Sequence, residues 1–143
     1  MNSGSDVILK IRNFSAGFMK DGVTYPAVDK ISFDLKKGST LGIVGESGCG
    51  KSVTALSIMK LLPVPSGKYI SGEIIYRDKN ILSLTPAEMR RIRGNNISMI
   101  FQEPMTALNP VKKIGKQISE VFELHRKELK KDEIENEIFS LLE

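Results

Sequence analysis

The feature that most constrains this chain is the run Leu41–Ala55, LGIVGESGCGKSVTA. Within it, Gly45 to Ser52 satisfies the pattern of Gly, four residues, Gly-Lys and then Ser or Thr. Each part has a physical reason. Gly45, Gly48 and Gly50 let the backbone turn tightly and approach a polyphosphate with no side chain in between. The N–H groups along Glu46, Ser47, Gly48 and Cys49 then point inward, and the positive end of the following helix adds to them. Lys51 brings a point charge to the β- and γ-phosphates, and the Ser52 hydroxyl suits Mg²⁺. By background residue usage, such a match arises by chance in about one chain of this length in several hundred. The context agrees. Thr40 to Val44 reads as a short buried strand, and Val53 to Leu62 as a helix ended by Pro63. Strand, glycine loop and helix together predict a site for a nucleoside triphosphate.

Composition narrows the remaining classes. At 143 residues there is room for one domain of ordinary size, and 41% hydrophobic with 27% charged residues is typical of a globular chain. The net charge of +4 is mild and the cations are interspersed with acids, apart from short runs such as Lys127 to Lys131. That pattern describes solvated helix faces, and no nucleic-acid partner is expected. Cys49 is the single cysteine, so no internal disulfide forms. No apolar run approaches the roughly 20 residues that span a bilayer, and MNSGSDVILKIRN lacks the apolar core of a signal peptide. A cytosolic chain is expected, associated with a membrane only through a partner.

Along the chain, Val7 to Phe14 and Ala27 to Leu35 alternate as half-buried strands, joined by a loop or hairpin around Asp21-Gly22. Gly72 to Tyr76 is a further strand, with Ile81-Leu82 as a candidate return strand. Thr85-Pro86-Ala87-Glu88 reads as a capped helix start, ending by Gly94. Ile97 to Phe101 is a second buried-strand candidate. Ile114, Ile118, Val121 and Phe122 mark one helix face, and Ile134, Ile138, Leu141 and Leu142 another. The last helix is patterned to bury an apolar face, and two parallel strands are too few for a sheet covered on both sides. The pattern is that of part of a larger domain.

The stretch Ile97–Pro110, ISMIFQEPMTALNP, together with GESGCGKS and the amphipathic helix after LNP, resembles ATP-binding cassette (ABC) transporter ATPases, and most of all their dipeptide and oligopeptide importer branch. The likeness extends from about Val7 to Glu143. It implies an α/β fold: a P-loop NTPase core of the ABC type with an N-terminal antiparallel β-subdomain and the start of a helical subdomain. Residues 1–39 and 70–84 would form the β-subdomain, 40–62 and 95–103 the P-loop core, and 104–143 the Q-loop and opening of the helical subdomain.

The resemblance also implies roles. ATP with Mg²⁺ would occupy the loop from Gly45 to Val53. Phe18 falls where the family stacks an aromatic on adenine, with Tyr25 as the alternative. Gln102 matches the Q-loop glutamine, a Mg²⁺ ligand and water-orienting group alongside Lys51 and Ser52. Many relatives carry Thr where this chain has Val53, so only the Val53 backbone N–H is expected to reach the α-phosphate. The implied partners are transmembrane permease subunits, contacted through Gln102 to Pro110 and the helix beyond, and a second ATPase subunit. An extracytoplasmic solute-binding protein would act indirectly. The expected location is the cytoplasmic side of the cell membrane.

The family's signature motif, its Asp-ended strand with catalytic Glu, and its switch histidine have no match in the 143 residues. Glu103 is not expected to serve as the base, and His125 is expected at a helix surface or boundary. Binding of Mg²⁺–ATP with little or no turnover follows for this chain alone. Three other readings remain open: an ABC ATPase for nickel or another small solute, a self-contained non-hydrolysing nucleotide module, and a small P-loop kinase using Arg90, Arg91 and Arg93.

Overall fold

A computed structural model describes residues 6–102 and 108–142. The chain divides into two compact units, Met1–Met89 and Arg90–Glu143.

The first unit is built on a four-stranded antiparallel sheet in the order β2-β1-β3-β4. Strand β1 (Val7–Lys20) and β2 (Val23–Lys36) form one long hairpin, closed at Asp21-Gly22 with both residues at positive φ. Strand β3 (Gly67–Tyr76) pairs along the other edge of β1, and the two-residue β4 (Lys79–Asn80) turns back on β3. The alternation in β1 slips phase midway: Leu9 and Ile11 are buried, then Phe14 and Ala16. The slip is a bulge at Asn13, whose φ of 43° an Asn tolerates better than most residues. Lys30 and Gly72 take positive φ on the flanking strands, so all three strands bend in the same region of the sheet. At Gly72 this is obligatory, because a Cβ would collide with the Arg12 and Asn13 carbonyl oxygens. Buried Ser15 closes the bend by donating to Asp29 Oδ1 (3.1 Å) and accepting from the Lys30 N–H (2.9 Å).

Ile11, Phe14, Ile74 and Ile81 are fully buried and form the heart of this unit, with the Phe14 ring tilted against Tyr69 at 6.4 Å between centroids. On the sheet's outer side Arg12 pairs with Asp34 and also donates to the Ile11 carbonyl oxygen at 2.9 Å. The hydrogen bond from Arg12 holds the Asp34 carboxyl below its ordinary 3.8. A carboxyl with a lowered folded-state pKa stabilises the fold above its unfolded value, and that contribution disappears as pH falls through the folded value. Denaturant titrations of wild type and Asp34→Asn should therefore differ at neutral pH and converge as pH drops below 3.8. A difference that persists in acid would contradict the pair's role.

Helix α1 (Lys51–Ile58) follows the glycine loop, and a 3-10 turn, Ile81–Ser83, follows β4. Helix α2 (Pro86–Ile92) opens with the expected cap. The Thr85 N–H and hydroxyl both donate to Glu88 Oε2, and the Glu88 N–H returns to Thr85 Oγ1. Thr85→Ala should cost about 1 kcal/mol in chemical denaturation; an unchanged midpoint would mean the cap contributes nothing.

The second unit holds α3 (Ile114–His125) and α4 (Lys131–Leu142), which pack on each other. Ile134 and Ile138 are buried as expected, whereas Leu141 and Leu142 remain exposed.

Three expected strands differ. Ile81-Leu82 forms the 3-10 turn instead, with Asn80 Oδ1 accepting from the Leu82 N–H. Thr40 to Val44 and Ile97 to Phe101 form no strand; Ile97 makes only an isolated bridge to Arg93. Val44 is 93% and Ile100 92% exposed. A buried parallel strand needs a neighbour on each side and helices on both faces. No such neighbours pair with either run among the described residues. The first helix also ends at Ile58, because Met59 and Lys60 break off before the proline, Lys60 at positive φ.

Candidate nucleotide-binding site

The loop before α1 takes the shape its glycines permit. Gly48 (φ 84°) and Gly50 (φ 91°) are both left-handed. At Gly50 the reason is double, since a Cβ there would run into the Ala27 carbonyl oxygen and lie 2.8 Å from Val28 Cγ2. The glycine thus lets the loop press against β2 as well as turn. At Gly45 a Cβ would lie 2.5 Å from Cys49 Sγ on the opposite limb of the loop.

Lys51, the first residue of α1, folds back across the loop. Its Nζ donates to the carbonyl oxygens of Gly45 (2.7 Å) and Glu46 (2.8 Å) and lies 3.5 Å from Cys49 Sγ. The ammonium is therefore held against the loop at the solvent-facing mouth of the ring. Gly50 caps α1 without a side chain, and no acid lies in the first helical turn. The Thr54 N–H, bonded to the Gly50 carbonyl at 2.9 Å, is the first that the helix satisfies. N–H groups of Lys51, Ser52 and Val53 precede it and have no carbonyl one turn back within the helix. Fixed donors, a helix N-terminus and one confined cation make this a concave site for anionic oxygen.

Two hydroxyls hold the helix start in place. Buried Thr54 donates to the Gly50 carbonyl (3.0 Å), and fully buried Ser57 donates to that of Val53 (2.6 Å). The sequence reading missed both; a Ser or Thr hydroxyl four residues after its carbonyl acceptor was the available signal. Beside the loop lies a cavity of about 340 Å³, bounded by Val28, Asp29, Ile31 and Phe33 of β2 and by Ile43, Cys49, Gly50 and Lys51.

The two aromatic candidates prove to be one pair. Phe18 lies directly opposite Tyr25 across the hairpin and opposite Gly67 on its other side. Opposed residues of an antiparallel pair share a face. Phe18 is half-buried and Tyr25 is 58% exposed; neither lines the cavity beside the loop. Gln102 belongs to the second unit, where it is exposed at a bend after the irregular run from Ser98. Glu103 lies outside the described residues, as does the rest of 103–107 in the segment expected to meet the permease. His125 is half-buried at the end of α3, its ring close to Gly94, the boundary position expected. Arg90 and Arg91 are exposed and Arg93 half-buried.

Among the described residues no group of three His, Cys, Asp or Glu is placed to hold a metal. The exposed Ser52 hydroxyl, next to Lys51, fits a Mg²⁺ that keeps its waters and arrives on phosphate oxygens. No helix among the described residues is long and apolar enough to cross a membrane.

An antiparallel sheet leading into a glycine loop and helix, followed by a helical unit, is consistent with an incomplete ABC-type ATPase domain. Its likeness to the dimeric post-hydrolysis structure of the ATP-binding cassette MJ0796, bound to ADP and Pi, has a TM-score of 0.75 at 22% identity. It covers 92% of this chain and 54% of that one.

The chain belongs to the ABC transporter family, whose profile matches residues 28–142. It is 50% identical over 135 residues to the dipeptide transport ATP-binding protein DppD of Bacillus subtilis, covering 94% of this chain and 40% of DppD. To the oligopeptide transport ATP-binding protein OppD of the same organism it is 45% identical over 136 residues, 95% of this chain and 38% of OppD. A probable peptide ABC transporter ATP-binding protein, y4tR of Sinorhizobium fredii, is 47% identical over 124 residues, 87% of this chain and 37% of y4tR. The chain thus spans about two fifths of the length of these relatives.

Proposed function

We propose that this chain is the nucleotide-binding portion of an ATPase subunit that drives dipeptide or oligopeptide uptake, and that it binds Mg²⁺–ATP in the loop Gly45–Val53. The observation that carries the reading is the Lys51 ammonium, held against a ring of loop carbonyls at the start of a helix with no acid in its first turn. The peptide class rests on the names of DppD and OppD.

The residue roles follow from chemistry. Lys51 exchanges loop carbonyls for the β- and γ-phosphate oxygens, which carry full charge and bind an ammonium more strongly. N–H groups from Glu46 through Val53 receive the remaining oxygens, and Ser52 offers its hydroxyl to Mg²⁺. Gln102 supplies a neutral amide as a further Mg²⁺ ligand and water-orienting group. Phe18, with Tyr25 as the alternative, stacks on adenine; by analogy with base–aromatic stacking this is worth about 1–3 kcal/mol. The bound nucleotide supplies the phosphoanhydride, but hydrolysis needs positioned charge and an oriented water. Without a base, the chain alone binds with little or no turnover.

We place the β-subdomain at 1–39 and 70–84, the P-loop core at 40–62 and 95–103, and the Q-loop with the opening of the helical subdomain at 104–143. The assembly partners are membrane permease subunits, reached through Gln102 to Pro110 and α3, a second ATPase subunit, and indirectly a solute-binding protein. The working location is the cytoplasmic face of the membrane. Calorimetric titration of Mg²⁺–ATP, with phosphate release followed in the same sample, tests this reading. Saturable binding near one nucleotide per chain without phosphate release is expected. A folded sample that gives no saturable heat, or that releases phosphate catalytically, would overturn it.

A further inference from the structure

Gln117, on the first turn of α3, is absent from every role above, yet its side chain is fully engaged. Its Oε1 accepts from the Asn109 N–H at 2.8 Å, while Nε2 donates to the Asn109 carbonyl at 3.0 Å and to the Lys112 carbonyl at 2.9 Å. A side-chain amide has one acceptor oxygen and two N–H donors. All are used here, and all on the backbone of one turn. Bonding both the N–H and the C=O of Asn109 reproduces what a neighbouring strand would do.

The turn has its own closures. Asn109 Oδ1 accepts from the Val111 N–H at 3.0 Å, and the Lys112 N–H bonds the Asn109 carbonyl at 3.2 Å. These fix the turn's internal shape. Among the described residues, only the Gln117 side-chain bonds tie it to the helix, since Lys113 at the head of α3 makes no side-chain cap. Asn109 and Lys112 are exposed, so without the tie water would take over these backbone groups and the turn would be free to swing.

We infer that Gln117 is a positioning residue: a clasp that locks the Asn109–Lys112 turn onto α3 and so presents the distal end of the link after Gln102 in one preformed conformation. The inference rests on the proposal that this link meets a membrane subunit. Preorganisation then spares the ordering entropy a loose turn would lose on contact.

Nuclear magnetic resonance of the chain without nucleotide tests the clasp directly. In wild type, both Gln117 side-chain N–H signals should stand apart from those of exposed amides and exchange slowly. Gln117→Met keeps the length and removes every bond; Asn109 amide exchange should rise about tenfold, as for loss of one ordinary hydrogen bond. Gln117→Glu keeps the acceptor but not the donors, so the Asn109 amide should stay protected while Val111 and Lys112 resonances move. Helical content and Mg²⁺–ATP binding should be unchanged in both variants, which separates failure of the clasp from failure of the nucleotide-binding reading. Gln117 amide signals at free positions, or equal Asn109 exchange in wild type and Gln117→Met, would overturn the inference.

Discussion

Lys51→Ala lowers the affinity for Mg²⁺–ATP by at least about a hundredfold, the expected result of removing charge-assisted hydrogen bonds worth about 1.5–3 kcal/mol each. The ammonium is already held against the ring by Gly45 and Glu46 at 2.7 and 2.8 Å, so little side-chain entropy remains to be lost on binding. Truncation removes the cation held at the loop while leaving its N–H donors in place. The fold should survive, because Gly45 and Glu46 are exposed and water replaces the lost donor. Titration calorimetry and circular dichroism on the same sample decide the matter. Affinity within threefold of wild type, with the fold intact, would mean that the loop does not bind phosphate through Lys51.

Gly50→Ala should be the most damaging single-methyl change in the loop, about 3–5 kcal/mol of unfolding free energy. A left-handed L-residue costs about 1–2 kcal/mol by itself. The remainder comes from the new Cβ, which meets the Ala27 carbonyl oxygen and Val28 Cγ2 and forces α1 off β2. Gly48→Ala is the internal control. Its φ of 84° is equally left-handed, but a Cβ there meets nothing within 4 Å. It should cost only the conformational term, about 1–2 kcal/mol. Denaturant unfolding of the two variants reads the difference; equal losses would show that contact with β2 contributes nothing. Against the 5–15 kcal/mol typical of a domain, the Gly50 variant is expected to be partly unfolded at 37 °C.

What could be read in advance was whatever depends on neighbours in sequence. The Thr85–Glu88 cap and the hairpin turn at Asp21-Gly22 are local chemistry and have the expected form; the glycine loop leads into a helix at Lys51 as its spacing implied, without the expected strand before it. The bulge at Asn13 was half-legible. Leu9 and Ile11 fall on odd positions and Phe14 and Ala16 on even ones, so a residue had to slip between them. Thr40 to Val44 and Ile97 to Phe101 carry the right composition for buried strands, but a strand is a property of a pair. No residue among those described forms a ladder with either.

The same limit applies at the site. Gly50 was legible as a phosphate-loop glycine, but its approach to Ala27 depends on how β2 passes the loop. Nothing in the pattern separates Phe18 from Tyr25, because both project from one point of the hairpin. Gln117 left no signal at all. A polar residue on an amphipathic helix reads as a solvated one, and its three backbone partners lie five and eight residues earlier.

The most direct test of the central claim is the backbone amide spectrum of the chain during addition of Mg²⁺–ATP. The account predicts that the largest shifts fall on Gly45 to Val53, with the amides of Gly48, Gly50 and Lys51 foremost, and that they vanish in Lys51→Ala. Shifts that spare this loop and gather elsewhere in the chain would contradict it.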